Sequence, residues 1–243
     1  ATGATGTAKA AGADIDKGNE DAPEWSQVIA GAGLACLIDS LQDPRKIGHA
    51  AQREVAITLE RSLKATLRHY QTLGVQWLWL LYSLGLGGCL ADDMGLGKTI
   101  QVLSLLLLVK ERQKIQEKNM PHLLVVPASL LGNWASEIEK FAPELTYRIL
   151  HGSFLSREAL ASLSDEQFSG VDLVITTYHS LLKMTWLHER MWNCVILDEA
   201  QAIKNHEARQ TRAVKRLQAK HKLILTGTPI ENRLGDLWSL FDF

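Results

Sequence analysis

The chain has 243 residues, enough for one α/β domain with a small appendage. Apolar residues make up 46% of it, which argues against wholesale disorder, and a net charge of −1 says nothing for or against nucleic acid at the level of the whole chain. Any grip on phosphates must come from a local patch. Cys36, Cys89 and Cys194 are too scattered for a disulfide framework and read as buried apolar residues of a reducing compartment. The longest apolar stretch, Ile100 to Val109, is about half the length a membrane span needs. With no secretory leader at the start, the expectation is a soluble, intracellular protein without a membrane partner.

In chain order, residues 1–13 are almost entirely Ala, Thr and Gly and show no period. The absence of an initiator Met suggests a piece of a longer protein, so residues 1–24 read as a flexible linker or a remnant of expression. Residues 25–66 carry Trp25, Val28, Ile29 and then Val55, Leu59, Leu63 at helical spacing, with breaks at Pro23 and Pro44. They read as a small helical segment without chemistry. From residue 67 to 243 short apolar runs alternate with longer helical stretches. The runs are Gly88–Ala91, Leu123–Val126, Tyr147–Leu150, Leu173–Thr176, Val195–Leu197 and Leu223–Leu225. Each is apolar on consecutive residues, as strands buried on both faces of a parallel sheet must be. Helices are expected over Thr99–Lys114, Leu130–Phe141, Arg157–Phe168 and Glu207–Ala219. The fold class is therefore α/β, a doubly wound and mainly parallel sheet with helices on both faces. Ligands of such sheets collect at the carboxyl ends of the strands.

Two clusters fall at such ends. After the first run comes Asp92-Asp93-Met94-Gly95-Leu96-Gly97-Lys98-Thr99, and then a long helix. Gly95 and Gly97 free the backbone to turn its N–H groups around an anion, and the helix start adds the positive end of its dipole. Lys98 can reach the β- and γ-phosphates of ATP, and the Thr99 hydroxyl can join a Mg²⁺ shell. The strict P-loop spacing fails, because its first Gly would fall on Asp92. The second cluster is Asp198-Glu199, after Val195-Ile196-Leu197. Asp198 is placed to hold Mg²⁺ through water and Glu199 to orient the attacking water. Two acids after a strand more often mark only a solvated edge; the upstream cradle in the same fold reverses that reading.

These residues also carry a resemblance. The chain from Leu67 to Phe243 resembles the first, RecA-like lobe of the superfamily-two helicase-related ATPases, and among them the SWI/SNF-type DNA translocases. Leu67-Arg68-His69-Tyr70-Gln71 resembles the adenine-recognising segment, with Gln71 reading the base; His69 stands where the family commonly has Pro. Leu90 to Gln101 is the most specific match, with Asp93 in place of the more usual Glu. Val126-Pro127-Ala128-Ser129-Leu130-Leu131 with Asn133-Trp134, and Ile175-Thr176-Thr177-Tyr178, resemble segments that touch the DNA backbone. Leu197 to Asn205 resembles the acidic motif in a wording closer to bacterial members, which favours the bacterial cytoplasm or nucleoid over a nucleus. Leu225 to Asn232, with Leu237-Trp238, resembles the motif that couples the nucleotide site to a second lobe; Asp236 replaces the usual Glu.

The resemblance implies an ATP hydrolase driven by double-stranded DNA, which moves along the duplex and remodels protein–DNA complexes. ATP and Mg²⁺ would sit on Gln71, residues 92–99 and Asp198, with Lys98, Asp198 and Glu199 as the catalytic set. It implies DNA-backbone contacts by Ser129, Asn133, Thr176, Thr177 and Lys204, with little sequence specificity and a steep salt dependence. Taken singly, these are turn, cap or surface residues. The basic helix face of Arg209, Arg212 and Arg216 reads as solvated surface, and Trp77, Trp79, Trp134, Trp186, Trp192 and Trp238 as core or lobe-interface residues. A second lobe would supply the arginine finger, so this lobe alone is expected to hydrolyse little ATP. Alternatives are a true helicase or RNA-dependent ATPase, a nucleotide-responsive binding module, and an NTPase without a nucleic-acid role.

Overall fold

The strands of the computed structural model alternate apolar side chains between two faces, and that alternation organises the molecule. The structure describes residues 38–116, 120–155, 168, 170–205, 208–228, 238 and 242–243. Helices α1 (His49–Ser62) and α2 (His69–Ser83) lead into strand β1 (Gly88–Leu90) and the long helix α3 (Lys98–Ile115). Then follow β2 (His122–Val126), α4 (Leu131–Phe141), β3 (Tyr147–Leu150) and β4 (Leu173–Thr177). Two short helices, α5 (Tyr178–Leu181) and α6 (Trp186–Glu189), precede β5 (Met191–Leu197), α7 (Arg209–Lys215) and β6 (Gln218–Leu225).

The six strands form one sheet in the order β1-β6-β5-β2-β4-β3. Every pairing is parallel. Leu124, Val126, Ile175, Ile196 and Leu225 face the layer of α1 to α4, where they meet Val55, Leu78, Leu106, Trp134 and Ile138. Their neighbours Leu123, Val125, Val174, Val195, Leu197 and Ile224 face the opposite layer, with Leu181, Leu187, Ile203 and Val214. Nine consecutive residues of α3, Gln101 to Val109, are buried, so this helix lies between the sheet and α1, α2 and α4. An apolar run of that kind belongs to a core helix; no helix among the described residues is long and apolar enough to cross a membrane.

Element bounds change in detail. The helix expected over Glu207–Ala219 covers only Arg209–Lys215, and from Gln218 the chain is already strand. The reason is pairing: Met191 and Trp192 stand opposite Gln218 and Ala219, so β5 and β6 run longer than their apolar cores. The start of the expected helix at Arg157 and most of its length lie outside the described residues, as do Trp25, Val28, Ile29 and Cys36. Residues Val55, Leu59 and Leu63 pack into the same core as the sheet, so the segment before residue 67 joins the lobe's own hydrophobic layer. Cys194 is buried, which pushes its thiol up to about 12, and burial also raises the half-buried Cys89.

Of the tryptophans, Trp79, Trp134 and Trp192 are core residues, and Trp77 and Trp186 pack partly buried against it. Trp238, 75% exposed, is not a core residue, which leaves the lobe-interface half of the expectation for it.

Candidate nucleotide-binding site

The loop between β1 and α3 leaves the carboxyl edge of the sheet and returns through two left-handed glycines, Gly95 (φ 83°) and Gly97 (φ 81°). At Gly97 a side chain is excluded twice, by the backbone angle and by space, since a Cβ would stand 2.5 Å from Gln71 Nε2. Gln71 is buried and donates Nε2 to the Leu96 carbonyl at 3.0 Å, while its Oε1 accepts from Arg68 N at 2.9 Å. Tyr70 donates its hydroxyl to the same Leu96 carbonyl at 2.9 Å. The segment at the start of α2 thus holds the loop from beneath. Gln101, one turn into α3, donates to Asp92 Oδ2 at 2.8 Å. It has room only because residue 74 is Gly, where a Cβ would fall 2.0 Å from Gln101 Oε1. Lys98 folds back to donate to the carbonyls of Asp92 (2.8 Å) and Asp93 (3.2 Å). Asp93, Met94 and Gly95 are exposed at the loop tip.

Asp198 and Glu199 end β5 at the same edge. Asp198 is buried; Trp134 Nε1 donates to its Oδ2 at 2.8 Å and the Glu199 N–H to its Oδ1 at 2.9 Å. Burial raises its carboxyl above the usual range; these two donors and the nearby Lys98 charge oppose that rise, while Glu199 adds to it. Glu137, on α4, is raised by burial and by Asp198, and the approach of the Thr99 hydroxyl favours its charged form. Thr99, Asp198 and Glu137 are oxygen donors, a set that suits a hard divalent cation. Among the described residues no group of three or more His, Cys, Asp or Glu is placed to hold a metal ion by itself.

Glu199 adopts φ 49°, the one left-handed non-glycine among the described residues, a conformation that costs about 1–3 kcal/mol and collects at functional sites. Gln201 Nε2 donates to its Oε2 at 2.5 Å, and Thr226 donates to Gln201 Oε1 at 3.2 Å. Thr226 directly follows β6, the strand between β1 and β5, and its N–H donates to the Leu90 carbonyl at 3.2 Å. Gly227 lies against Met94 and Asp92, and Lys204 donates to the Thr228 carbonyl at 3.0 Å. The three strand ends thus form one hydrogen-bonded edge.

The five residues expected at a DNA backbone separate. Ser129 and Asn133 are exposed at the start of α4. Thr176 is fully buried and donates its hydroxyl to the Leu150 carbonyl at 3.1 Å. Thr177 is buried and caps the following helix, its Oγ1 accepting from Ser180 N at 3.1 Å. Lys204 is half-buried on Thr228. Sequence reasoning gave no role to Gln101, Gln201 or Glu137 and took Trp134 as core or lobe interface. The signal for Trp134 was available, since a buried indole needs an acceptor for its N–H.

Residues 70–243 match the family model described as the SNF2-related domain. The chain belongs to that family. Within it the chain corresponds to the N-terminal lobe, a RecA-like six-stranded parallel sheet. This SNF2-related lobe is 45% identical over 75% of its length to YwqA of Bacillus subtilis, provisionally named an ATP-dependent helicase/translocase. It is 39% identical over 85% of its length to the TATA-binding protein-associated factor MOT1 of Saccharomyces cerevisiae. It spans 19% and 11% of those two proteins. A solved SWI2/SNF2 ATPase core of Sulfolobus solfataricus in complex with double-stranded DNA is 41% identical, with a TM-score of 0.64 over 74% of this chain and 36% of that one.

Proposed function

We propose that this SNF2-related lobe binds Mg·ATP for a DNA-dependent ATPase that translocates on double-stranded DNA and remodels protein–DNA complexes. The observation that carries the reading is the meeting of two motifs at one sheet edge, where Thr226 bonds both to Leu90, before the glycine loop, and to Gln201, beside the acidic pair. In this reading the N–H groups of the Gly95–Gly97 turn and the start of α3 cradle the phosphates. Lys98 exchanges the carbonyls of Asp92 and Asp93 for β- and γ-phosphate oxygens. Gln71 serves the adenine side while tying that segment to the loop through Leu96. Thr99 and Asp198 would hold Mg²⁺, which supplies charge neutralisation at the transferring phosphoryl group. Glu199, fixed by Gln201, orients the attacking water.

Names of the relatives support the nucleic-acid half, and the solved Sulfolobus core was seen with double-stranded DNA. Ser129 and Asn133 are the residues free to meet a phosphate backbone. A second lobe, as in the longer relatives, would bring an arginine finger worth ~10³–10⁵ in rate, so this lobe alone turns over ATP at close to background. The test uses a protein carrying both lobes. Glu199→Gln should keep ATP binding and stop DNA-stimulated phosphate release; wild-type release from that variant removes Glu199 from its role. Displacement of a triplex-forming strand without unwinding of the duplex separates the translocase from a helicase.

A further inference from the structure

The phosphate loop begins with an acid, beside the lysine that a polyanion needs. Asp92 is half-buried, and Lys98 rests on its carbonyl at 2.8 Å. The carboxylate of the same residue lies only a few bonds from that carbonyl, so its direction decides whether it meets the ammonium. In the structure it is turned to Gln101, whose Nε2 donates to Asp92 Oδ2 at 2.8 Å and lies 3.4 Å from the Gly97 carbonyl. An ionised carboxylate can only accept, so the amide presents Nε2 to Asp92 and Oε1 to the opposite side, against α2. There residue 74 is Gly, and a Cβ on it would stand 2.0 Å from Oε1 and 3.2 Å from Cδ of Gln101. Gln101 is buried, so its amide has no solvent to retreat into. Gly74 lies inside α2, where glycine makes a weaker helix than alanine; what it supplies is room.

We propose that Gln101, seated by Gly74, is a positioning residue that holds the Asp92 carboxylate away from Lys98 and so keeps the lysine free for phosphate. The inference rests on the Mg·ATP reading above and deepens it, giving Gln101 and Gly74 a part in phosphate affinity without contact to the ligand. Without the amide, Asp92 closes on Lys98 as an internal counter-ion, and phosphate oxygens must displace it. With the amide in place, Lys98 is held by neutral carbonyls, which it leaves more readily than a carboxylate. The tie also persists through binding. Once Lys98 exchanges the Asp92 carbonyl for phosphate, Gln101 still anchors the start of the loop to α3.

The experiment measures binding of a fluorescent, non-hydrolysable ATP analogue with Mg²⁺ to the 243-residue chain. Gln101→Ala should weaken binding by about 5-fold or more, the scale of a partly exposed ion pair that must be broken. Gln101→Leu keeps the buried volume and should do the same, so a folding defect in the alanine variant does not decide the matter. Asp92→Asn added to either variant should recover most of the loss, because the competing charge is gone. Gly74→Ala should reproduce the loss and add nothing further when combined with Gln101→Ala. Unchanged affinity in Gln101→Leu overturns the proposal. A loss that Asp92→Asn does not recover overturns it too, by making Gln101 a packing residue of the loop. A Gly74→Ala loss of the same size with and without Gln101 removes Gly74 as the seat. Lys98→Ala tests the reading beneath: if that variant binds the analogue as well as the wild type does, the nucleotide reading itself fails, whatever the Gln101 variants do.

Discussion

The two ends of the sheet are built from similar polar material and use it in opposite ways. At the amino end, polar groups close on one another. Lys110 reaches Asp172 Oδ2 at 2.7 Å and the Glu144 carbonyl, and Thr146 N donates to the same carboxylate oxygen at 2.8 Å. Tyr82 and Asn193 exchange hydrogen bonds, and the Tyr82 ring lies 4.0 Å from that of His221. At the carboxyl end the polar groups are bent toward a shared space: Gly95, Gly97 and Glu199 take left-handed backbone, and Lys98 is held only by loop carbonyls it can leave. One end spends its polar groups on stability, whereas the other keeps them available. A parallel sheet makes this asymmetry, because every strand delivers its following loop to the same edge.

Substitutions at the two ends should therefore separate stability from binding. The largest effect is expected at the amino end. Asp172→Ala leaves the mostly buried Lys110 without its carboxylate and should cost about 3 kcal/mol in urea unfolding, with Mg·ATP affinity unchanged. A loss of affinity as large as the loss of stability would show the two ends to be coupled.

Acid titration comes next. His122 is buried with Nδ1 unpaired, and its pKa is lowered from 6.5 to about 4, chiefly by burial, with Asp172 pulling up and His221 pushing further down. The unfolded chain takes a proton that the folded chain refuses. Stability from this group is thus fully present above pH 6.5, declines as the pH falls toward 4, and changes no further below that. The loss should reach at most about 3 kcal/mol, and His122→Leu should flatten that slope in urea midpoints measured from pH 7 to 4. His188 and His221, lowered in the same direction by burial, leave a residual slope. An unchanged slope in His122→Leu would rule this residue out as its source.

At the carboxyl end, Gly97→Ala should cost about 2 kcal/mol, from the backbone angle and the contact with Gln71, and should weaken Mg·ATP binding as well. Gly95→Ala meets open space and should cost only the backbone penalty of about 1 kcal/mol. Equal costs at the two glycines would mean that the Gln71 contact relaxes freely. The smallest effects belong to Ser129→Ala and Asn133→Ala, whose exposed side chains should change stability by less than about 0.5 kcal/mol. In a two-lobed protein they should lower duplex affinity and shallow its salt dependence.

Reading from sequence worked where a residue's job is done by its neighbours along the chain. The consecutive apolar runs located all six strands, because a strand buried on both faces needs no partner's identity to be recognised. Gly95, Gly97, Lys98 and Thr99 were legible for the same local reason: the turn and the helix start lie within eight residues. The length of β6 was not legible, since Gln218 and Ala219 become strand only by standing opposite Met191 and Trp192. The surroundings of Thr176 and Thr177 were not legible either, because a threonine at a strand end looks the same whether its hydroxyl faces solvent, Leu150 or Ser180.

The sequence by itself determined the layered α/β class, the phosphate-type loop and the acidic pair, each encoded in contiguous residues. Only the tertiary structure decided that Trp134 serves Asp198 and that Gln201 joins Glu199 to Thr226. Most of these contacts span tens of residues. Their partners are selected by how elements pack, and no local pattern along the chain records which acceptor a buried donor will find.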